Sequence, residues 1–284
     1  MSQYILETRN LSYEYQDGTK ALNNINIKIE KGKKVSFVGV NGSGKSTVFL
    51  NFNGILKPTK GNVIYKGNEV KYNQKSLLEL RKNIGIVFQD PENQLFSASV
   101  YQEVSFGAMN LKLNEAEVRR RVDAALMDVG MYDYKDKAVH FLSYGQKKRV
   151  AIADILVMNP EIIVFDEPTS SLDPKHSKQI VKIFDDLNKK GITVILSTHD
   201  VELAYSWSDY IIVLKDGEIA KEGTPYEIFS DDKLIHECYL EKPFILEVFE
   251  QLRSSGKIDS EVAVPRNKKE LFDIINSKDK INND

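Results

Sequence analysis

Nine consecutive residues, Gly39-Val40-Asn41-Gly42-Ser43-Gly44-Lys45-Ser46-Thr47, have the composition of a phosphate cradle. They fit G-x-x-x-x-G-K-[ST], a pattern whose glycines let the chain turn until successive backbone N–H groups face one anion. The apolar run Lys34–Val38 precedes the loop and the helix-compatible run Val48–Phe52 follows it. A helix starting there adds about half a unit of positive charge at its N-terminus. In such a loop Asn41, Gly42, Ser43, Gly44 and Thr47 wrap the phosphates. Lys45 reaches the β- and γ-phosphates, and Ser46 holds Mg²⁺.

A second group has carboxylate chemistry. The apolar stretch Ile162–Phe165 ends in Asp166 and Glu167. A buried strand with two carboxylates at its tip is the usual complement of a phosphate loop. Asp166 is expected to hold Mg²⁺ through water, and Glu167 to polarise an attacking water as general base. A third run, Leu142-Ser143-Tyr144-Gly145-Gln146-Lys147-Lys148-Arg149, sits where a helix should begin. Taken alone it is compatible with an ordinary capped helix with a basic first turn. It is also compatible with a second anion-binding helix end, built from Ser143, Gly145 and Gln146. Two such ends in one chain suggest a site completed across a dimer.

These groups need a scaffold, and the pattern of the chain supplies one. Tyr4–Glu7, Asn24–Glu30 and Asn62–Tyr65 read as strands separated by turns, and Ile84–Phe88 as a short buried strand. From Asp90 to Met158 the pattern is helical. Asn114 is a plausible cap for a helix carrying Val118, Val122, Leu126 and Val129 on one face, and Ser143 a cap for a helix over about Gln146–Met158. Strands return at Ile162–Phe165, Thr193–Ser197 and Ile211–Leu214, with a helix over Lys175–Lys190 between the first two. This alternation predicts a parallel sheet with right-handed crossovers. Asp216-Gly217 predicts a hairpin. Leu234 to about Leu252 and Lys268–Ile275 read as helical, and the polar end from Asn276 to Asp284 as frayed.

Bulk properties narrow the function. The 284 residues are 42% hydrophobic and 28% charged, with formal net charge −2, so no global basic field points to nucleic acid. The single cysteine, Cys238, excludes an internal disulfide. No signal peptide is read at the start, and the longest apolar runs are far too short for a membrane span.

In order along the chain stand the phosphate loop, Gln89, Leu142–Gln146, Asp166-Glu167, Ser171-Leu172-Asp173 and His199. This order resembles the ATP-binding-cassette (ABC) ATPases, over roughly Tyr4 to Phe229. The resemblance implies an α/β P-loop NTPase with a RecA-like core, an N-terminal antiparallel β subdomain and a helical signature subdomain over about residues 90–158. The ATPase domain is then 1–232, and 233–284 form a C-terminal helical dimerisation appendage. It implies ATP and Mg²⁺ as ligands. By the same resemblance Gln89 contacts Mg²⁺ or water, His199 contacts the γ-phosphate, Asp173 reaches across a dimer, and Tyr15 stacks on adenine. Ser143 and Gly145 then touch the γ-phosphate of the opposite subunit. Tyr144 departs from the family, which usually has Gly there. No Asn-Lys-x-Asp element follows the phosphate loop, so a GTPase reading fails.

The runs Phe88-Gln89-Asp90-Pro91-Glu92-Asn93-Gln94-Leu95-Phe96 and Val104–Leu111 resemble more narrowly the energy-coupling-factor (ECF) importer ATPases, including the cobalt-importer branch. Ala108 replaces the usual Pro. That resemblance implies a second ABC ATPase as partner, a transmembrane scaffold, and a small membrane subunit that captures a metal ion or vitamin, with no nucleic-acid partner. It also implies a place at the cytoplasmic face of the membrane, with Asp90–Asn110 forming part of the groove for the scaffold's coupling helices. A soluble ABC-type ATPase, or an ATPase of another transporter class, is the alternative.

Overall fold

The computed structural model describes residues 3–281; Met1, Ser2 and residues 282–284 lie outside the described residues. The elements are β1 (Tyr4–Glu14), β2 (Lys20–Glu30), β3 (Lys34–Val38), α1 (Lys45–Phe52), β4 (Lys60–Tyr65), β5 (Asn68–Glu69), α2 (Gln74–Asn83) and β6 (Ile84–Val87). They continue with α3 (Val100–Asn110), α4 (Glu115–Asp128), α5 (Tyr144–Leu156), β7 (Ile162–Phe165), α6 (Pro174–Lys189), β8 (Thr193–Thr198) and α7 (Val201–Trp207). The chain closes with β9 (Tyr210–Lys215), β10 (Glu218–Gly223), α8 (Pro225–Phe229), α9 (Asp232–Glu237), α10 (Phe244–Ser254) and α11 (Lys268–Ile281).

Six strands form the main sheet in the order β10-β9-β3-β8-β7-β6. All its pairings are parallel except the β9–β10 hairpin. Its central strands are buried along their whole length, as a sheet covered on both faces demands. β1, β2, β4 and β5 form a separate antiparallel sheet, ordered β2-β1-β4-β5. This is the P-loop, RecA-like core with an antiparallel β subdomain that the sequence predicts.

The parallel arrangement explains where the chemistry lies. In an open α/β sheet the crevice for ligands opens at the carboxyl ends of the strands. Here the phosphate loop follows β3, Gln89 follows β6, Asp166 and Glu167 follow β7, and His199 follows β8. Four segments separated by up to 160 positions in sequence thus meet along one sheet edge.

The helices begin as their caps dictate. Asn114 accepts from the Glu117 N–H, and Ser143 and Gln146 form a reciprocal capping box at the start of α5. Several stretches depart from the expected pattern. α2 is a helix that the sequence reading leaves unassigned; it buries only Leu80 and starts on an Asn73 cap. The helical stretch expected from Leu234 is broken between α9 and α10. Tyr239 adopts φ +53, and Pro243, which has no N–H, stands at the N-cap of α10. The end expected to fray at Asn276 remains helical to Ile281.

The helical segment is not a detached lobe. Val104, Val122, Leu126 and Val150 from α3, α4 and α5 share one buried cluster with Phe165 and Leu196 of the sheet and Phe184 of α6. Residues after Asp232 join the core in the same way: Leu234, Cys238 and Leu246 pack with Val38, Ile211 and Val213. Ile245, Phe249, Ile258 and Leu271 form a smaller cluster of their own beyond that contact.

Candidate nucleotide site

The phosphate loop is held from both sides. Gly217 of the β9–β10 turn donates to the Ser43 carbonyl (3.1 Å), and its own carbonyl accepts from Asn23 of β2 (2.8 Å). Gly44 caps α1 at φ +104, and a Cβ there would lie 2.8 Å from the Ala21 carbonyl oxygen. Both the left-handed backbone and the close approach of β2 therefore require glycine. Lys45 is 7% exposed, and its ammonium donates to the Gly39 and Val40 carbonyls at 2.7 and 3.1 Å. Burial pulls its pKa down while Glu167 and Asp166 pull it up. Burial prevails, so its pKa lies below the ordinary lysine value although two carboxylates face it in the cleft.

At the opposite wall, Ser197 of β8 organises both carboxylates. Its hydroxyl donates to Asp166 Oδ1 (2.6 Å) and accepts from the Glu167 N–H (2.8 Å). Glu167 adopts φ +44, a left-handed conformation that costs a non-glycine residue roughly 1–2 kcal/mol. The surroundings hold it there. Its carbonyl accepts from Ser170 N–H and Oγ and from Lys148 Nζ. Its Oε2 is 2.9 Å from His199 Nδ1, and its buried Oε1 has no hydrogen-bond partner among the described residues. A buried carboxylate oxygen with an open lone pair, aimed by a histidine, is the arrangement a base for a bound water needs.

These groups line one cleft of about 460 Å³ that contains Tyr15, the loop residues Asn41, Gly42, Gly44, Lys45, Ser46 and Thr47, and Gln89, Asp166, Glu167 and His199. Tyr15 lies just past the end of β1. Its hydroxyl is 3.1 Å from Thr47 Oγ1 and its ring packs edge-on against Tyr13. It is 38% exposed, so its ring is open to a base. The predicted Ser43 is buried in the loop, with a hydroxyl that lacks a partner. Sequence reasoning missed Thr19 and Lys20, which line the same cleft, and Ser197.

The remaining predicted residues lie elsewhere. Ser143, Gly145, Gln146 and Asp173 do not line this cleft. They stand close together. A Cβ on Gly145 would come within 3.2 Å of the His176 ring, and His176 bonds the Asp173 carboxylate through Nδ1 (2.7 Å). Asp173 also caps α6, accepting from the His176 N–H. The Ser143 helix end and the Asp173 turn are thus neighbours outside the chain's own nucleotide cleft.

The donor set fits a nucleoside triphosphate with Mg²⁺. The Lys45 side chain and the phosphate-loop residues line the same cleft. A hydroxyl (Ser46), an amide (Gln89) and a carboxylate (Asp166) converge with them in the cleft. Mg²⁺ is usually held in this way, by one or two protein oxygens plus phosphates. Among the described residues no group of three His, Cys, Asp or Glu side chains forms a self-sufficient metal cage.

A second concavity, about 1010 Å³, opens on another side of the molecule. Leu78 of α2, Phe88, Gly107 and Asn110 of α3, and Ile155 and Met158 at the end of α5 contribute to its lining. Of the segment Asp90–Asn110, only Gly107 and Asn110 reach it; α2, absent from the sequence expectation, supplies much of one wall.

Comparison with known proteins agrees with this geometry. The family profile described as ABC transporter matches residues 22–170. The energy-coupling factor transporter ATP-binding protein EcfA of Methanocaldococcus jannaschii is 52% identical over 258 residues, 91% of this chain and 92% of that protein. The structure of cbiO1 from Clostridium perfringens, described as part of the ABC transporter complex cbiONQ, matches with TM-score 0.76. It is 48% identical and covers 88% of this chain and all of that one. A dimeric ATP-binding cassette, MJ0796, in a post-hydrolysis state bound to ADP and Pi, matches with TM-score 0.71. It is 32% identical and covers 78% of this chain and 98% of that one. With the phosphate loop, the paired carboxylates and the histidine at one sheet edge, this chain belongs to the ABC transporter family, as an ATPase of the energy-coupling-factor type.

Proposed function

We propose that this ATPase drives an energy-coupling-factor importer from the cytoplasmic face of the membrane, powering uptake of a metal ion such as cobalt or nickel, or of a vitamin. In this reading it pairs with a second ABC ATPase beneath a transmembrane scaffold, and a small membrane subunit captures the substrate. The observation that carries the reading is identity above 50% to an EcfA protein over nine-tenths of both chains. The groove bounded by α2, α3 and α5 supports it, since it adjoins Phe88, the residue before Gln89. No helix among the described residues is long and apolar enough to cross a membrane.

The chemistry follows from charge and position. The loop N–H groups and Lys45 bind the β- and γ-phosphates, and Tyr15 stacks on the base. Ser46, Asp166 and Gln89 would hold Mg²⁺, which when bound would supply charge neutralisation for the transferring phosphoryl group. Glu167 Oε1 accepts a proton from the attacking water, and His199 fixes the Glu167 carboxylate and meets the γ-phosphate. Ser143 and Gly145 of one subunit close the site of the other. Loss of the shared γ-phosphate then removes the link between subunits, and the dimer opens.

The test is gentle extraction of native membranes, capture of the tagged chain and identification of its partners by mass spectrometry. A polytopic scaffold with a small membrane subunit supports the importer reading, and the small subunit's own ligand distinguishes metal from vitamin. Soluble partners alone, repeated under crosslinking, overturn it and leave a membrane-independent ATPase.

A further inference from the structure

Lys148 is fully buried, 1% exposed, and the chemistry above leaves it unused. It lies in α5, one turn beyond Tyr144, so both side chains share a helix face. The Lys148 ammonium donates to the Glu167 carbonyl (3.3 Å). The Tyr144 hydroxyl donates to the Gln89 carbonyl (3.2 Å). The two side chains also meet each other, with the ammonium 5.7 Å from the Tyr144 ring centre. Burial pulls the Lys148 ammonium down to a pKa of about 8, and the negative charge of Asp90, Asp166 and Glu167 opposes that shift.

The contact is reinforced along the same helix. Lys147 pairs with Glu92 (2.5 Å). Gln94 accepts from the Phe88 N–H and donates to the Ala151 carbonyl and to Asp154. The segment from Phe88 to Gln94 is therefore fastened to α5 at several points, and Glu167 at one. A glycine at position 144 could make neither the Gln89 bond nor the ring contact.

We propose that Tyr144 and Lys148 are positioning residues for hydrolysis in their own subunit, holding the backbones of Gln89 and Glu167 to a single face of α5. The helix whose N-terminus faces the partner's nucleotide thereby also fixes the geometry of its own cleft. A displacement of the Phe88–Gln94 segment is passed through α5 to the strained Glu167. This rests on the assignment of Gln89 and Glu167 to the hydrolytic site.

The test compares full-length wild type with Lys148→Met, Tyr144→Phe, Glu167→Gln and the double variant Lys148→Met/Glu167→Gln. Steady-state and single-turnover hydrolysis are read alongside ATP binding. Lys148→Met should lower kcat at least about tenfold while ATP affinity stays within about twofold. In the Glu167→Gln background the same change should cost less than about twofold, because Lys148 acts through Glu167. Tyr144→Phe, which removes one hydroxyl, should lower kcat about threefold and raise the Mg²⁺ concentration for half-maximal rate. It carries the test alone if Lys148→Met does not fold. Wild-type kcat in both single variants overturns the proposal. So does a Lys148→Met loss that is undiminished in the Glu167→Gln background, the mark of a merely structural residue. Near-normal turnover in Glu167→Gln alone refutes the base assignment instead, and the positioning role falls with it.

Discussion

At the scale of single residues, the site concentrates its cost on Glu167. A left-handed backbone and a buried carboxylate oxygen without a partner are both unfavourable, and both place one lone pair at the phosphate end of the cleft. Glu167→Gln keeps the size and removes the basicity. It should leave ATP binding intact and lower kcat at least about a hundredfold, measured by phosphate release; near-normal turnover would remove Glu167 from the role of base. Tyr15 predicts a different signature. Tyr15→Ala should weaken ATP several-fold and leave inorganic triphosphate affinity nearly unchanged, because stacking on a base is worth about 1–3 kcal/mol. An equal loss for both ligands, by calorimetry, would show that the tyrosine only braces Thr47. The contiguous motifs at this scale were legible in the sequence because the loop residues, and Asp166 with Glu167, are chain neighbours. Ser197 and Lys148 were not. One reaches the carboxylates only because β8 lies beside β7 in register, the other only because α5 packs under the Glu167 turn.

At the scale of elements, helix starts and central strands were readable, since caps and continuous apolar runs are local signals. β1 and β2 proved longer than the apolar alternation indicates. Their pairing carries several register shifts, and each shift interrupts the period of two. α2 hid for a different reason: only Leu80 is buried and Leu77 part-buried, so its apolar face is short. Within α5, Asp154 interrupts an otherwise apolar stretch, and burial pushes its carboxyl up to about 7 although the Gln94 amide pulls it down. The folded state therefore keeps this proton to a pH at which the unfolded chain, with an ordinary carboxyl, has released it. Stability falls as pH rises from about 4 to about 7 and stays lowered above that. Asp154→Asn removes the titration and keeps an acceptor for Gln94. Its stability gain over wild type should grow by roughly 2 kcal/mol between about pH 5 and pH 8, read from urea unfolding. A pH-independent difference would show that Asp154 does not carry the penalty.

At the scale of the whole molecule, the proposed site draws on two chains. The chain's own cleft holds its phosphate loop, carboxylates and histidine, while Ser143, Gly145 and Asp173 sit together outside it. Two copies, or this chain and a second cassette, related head to tail would bring each Ser143 end onto the other's phosphates. A two-fold arrangement makes both sites equivalent. This division of labour can be tested without a partner protein if the wild-type chain hydrolyses ATP alone. Lys45→Ala disables the phosphate loop and leaves the Ser143 end intact; Gly145→Asp does the reverse by placing a charge where the γ-phosphate would lie. Each variant alone should be inactive, because each homodimer has two defective sites. Mixed in equal amounts, half the dimers combine the two chains, and each of these has one site with both halves intact. Hydrolysis should return to about a quarter of the wild-type rate if the sites act independently. A mixture as inactive as its components, with exchange of subunits verified by native mass spectrometry, would place all catalytic groups in one chain or make the two sites obligately coupled. Adding active-site-dead Glu167→Gln subunits to wild type separates those outcomes. Independent sites lose rate in proportion to the fraction added, and obligately coupled sites lose it as the square of the wild-type fraction.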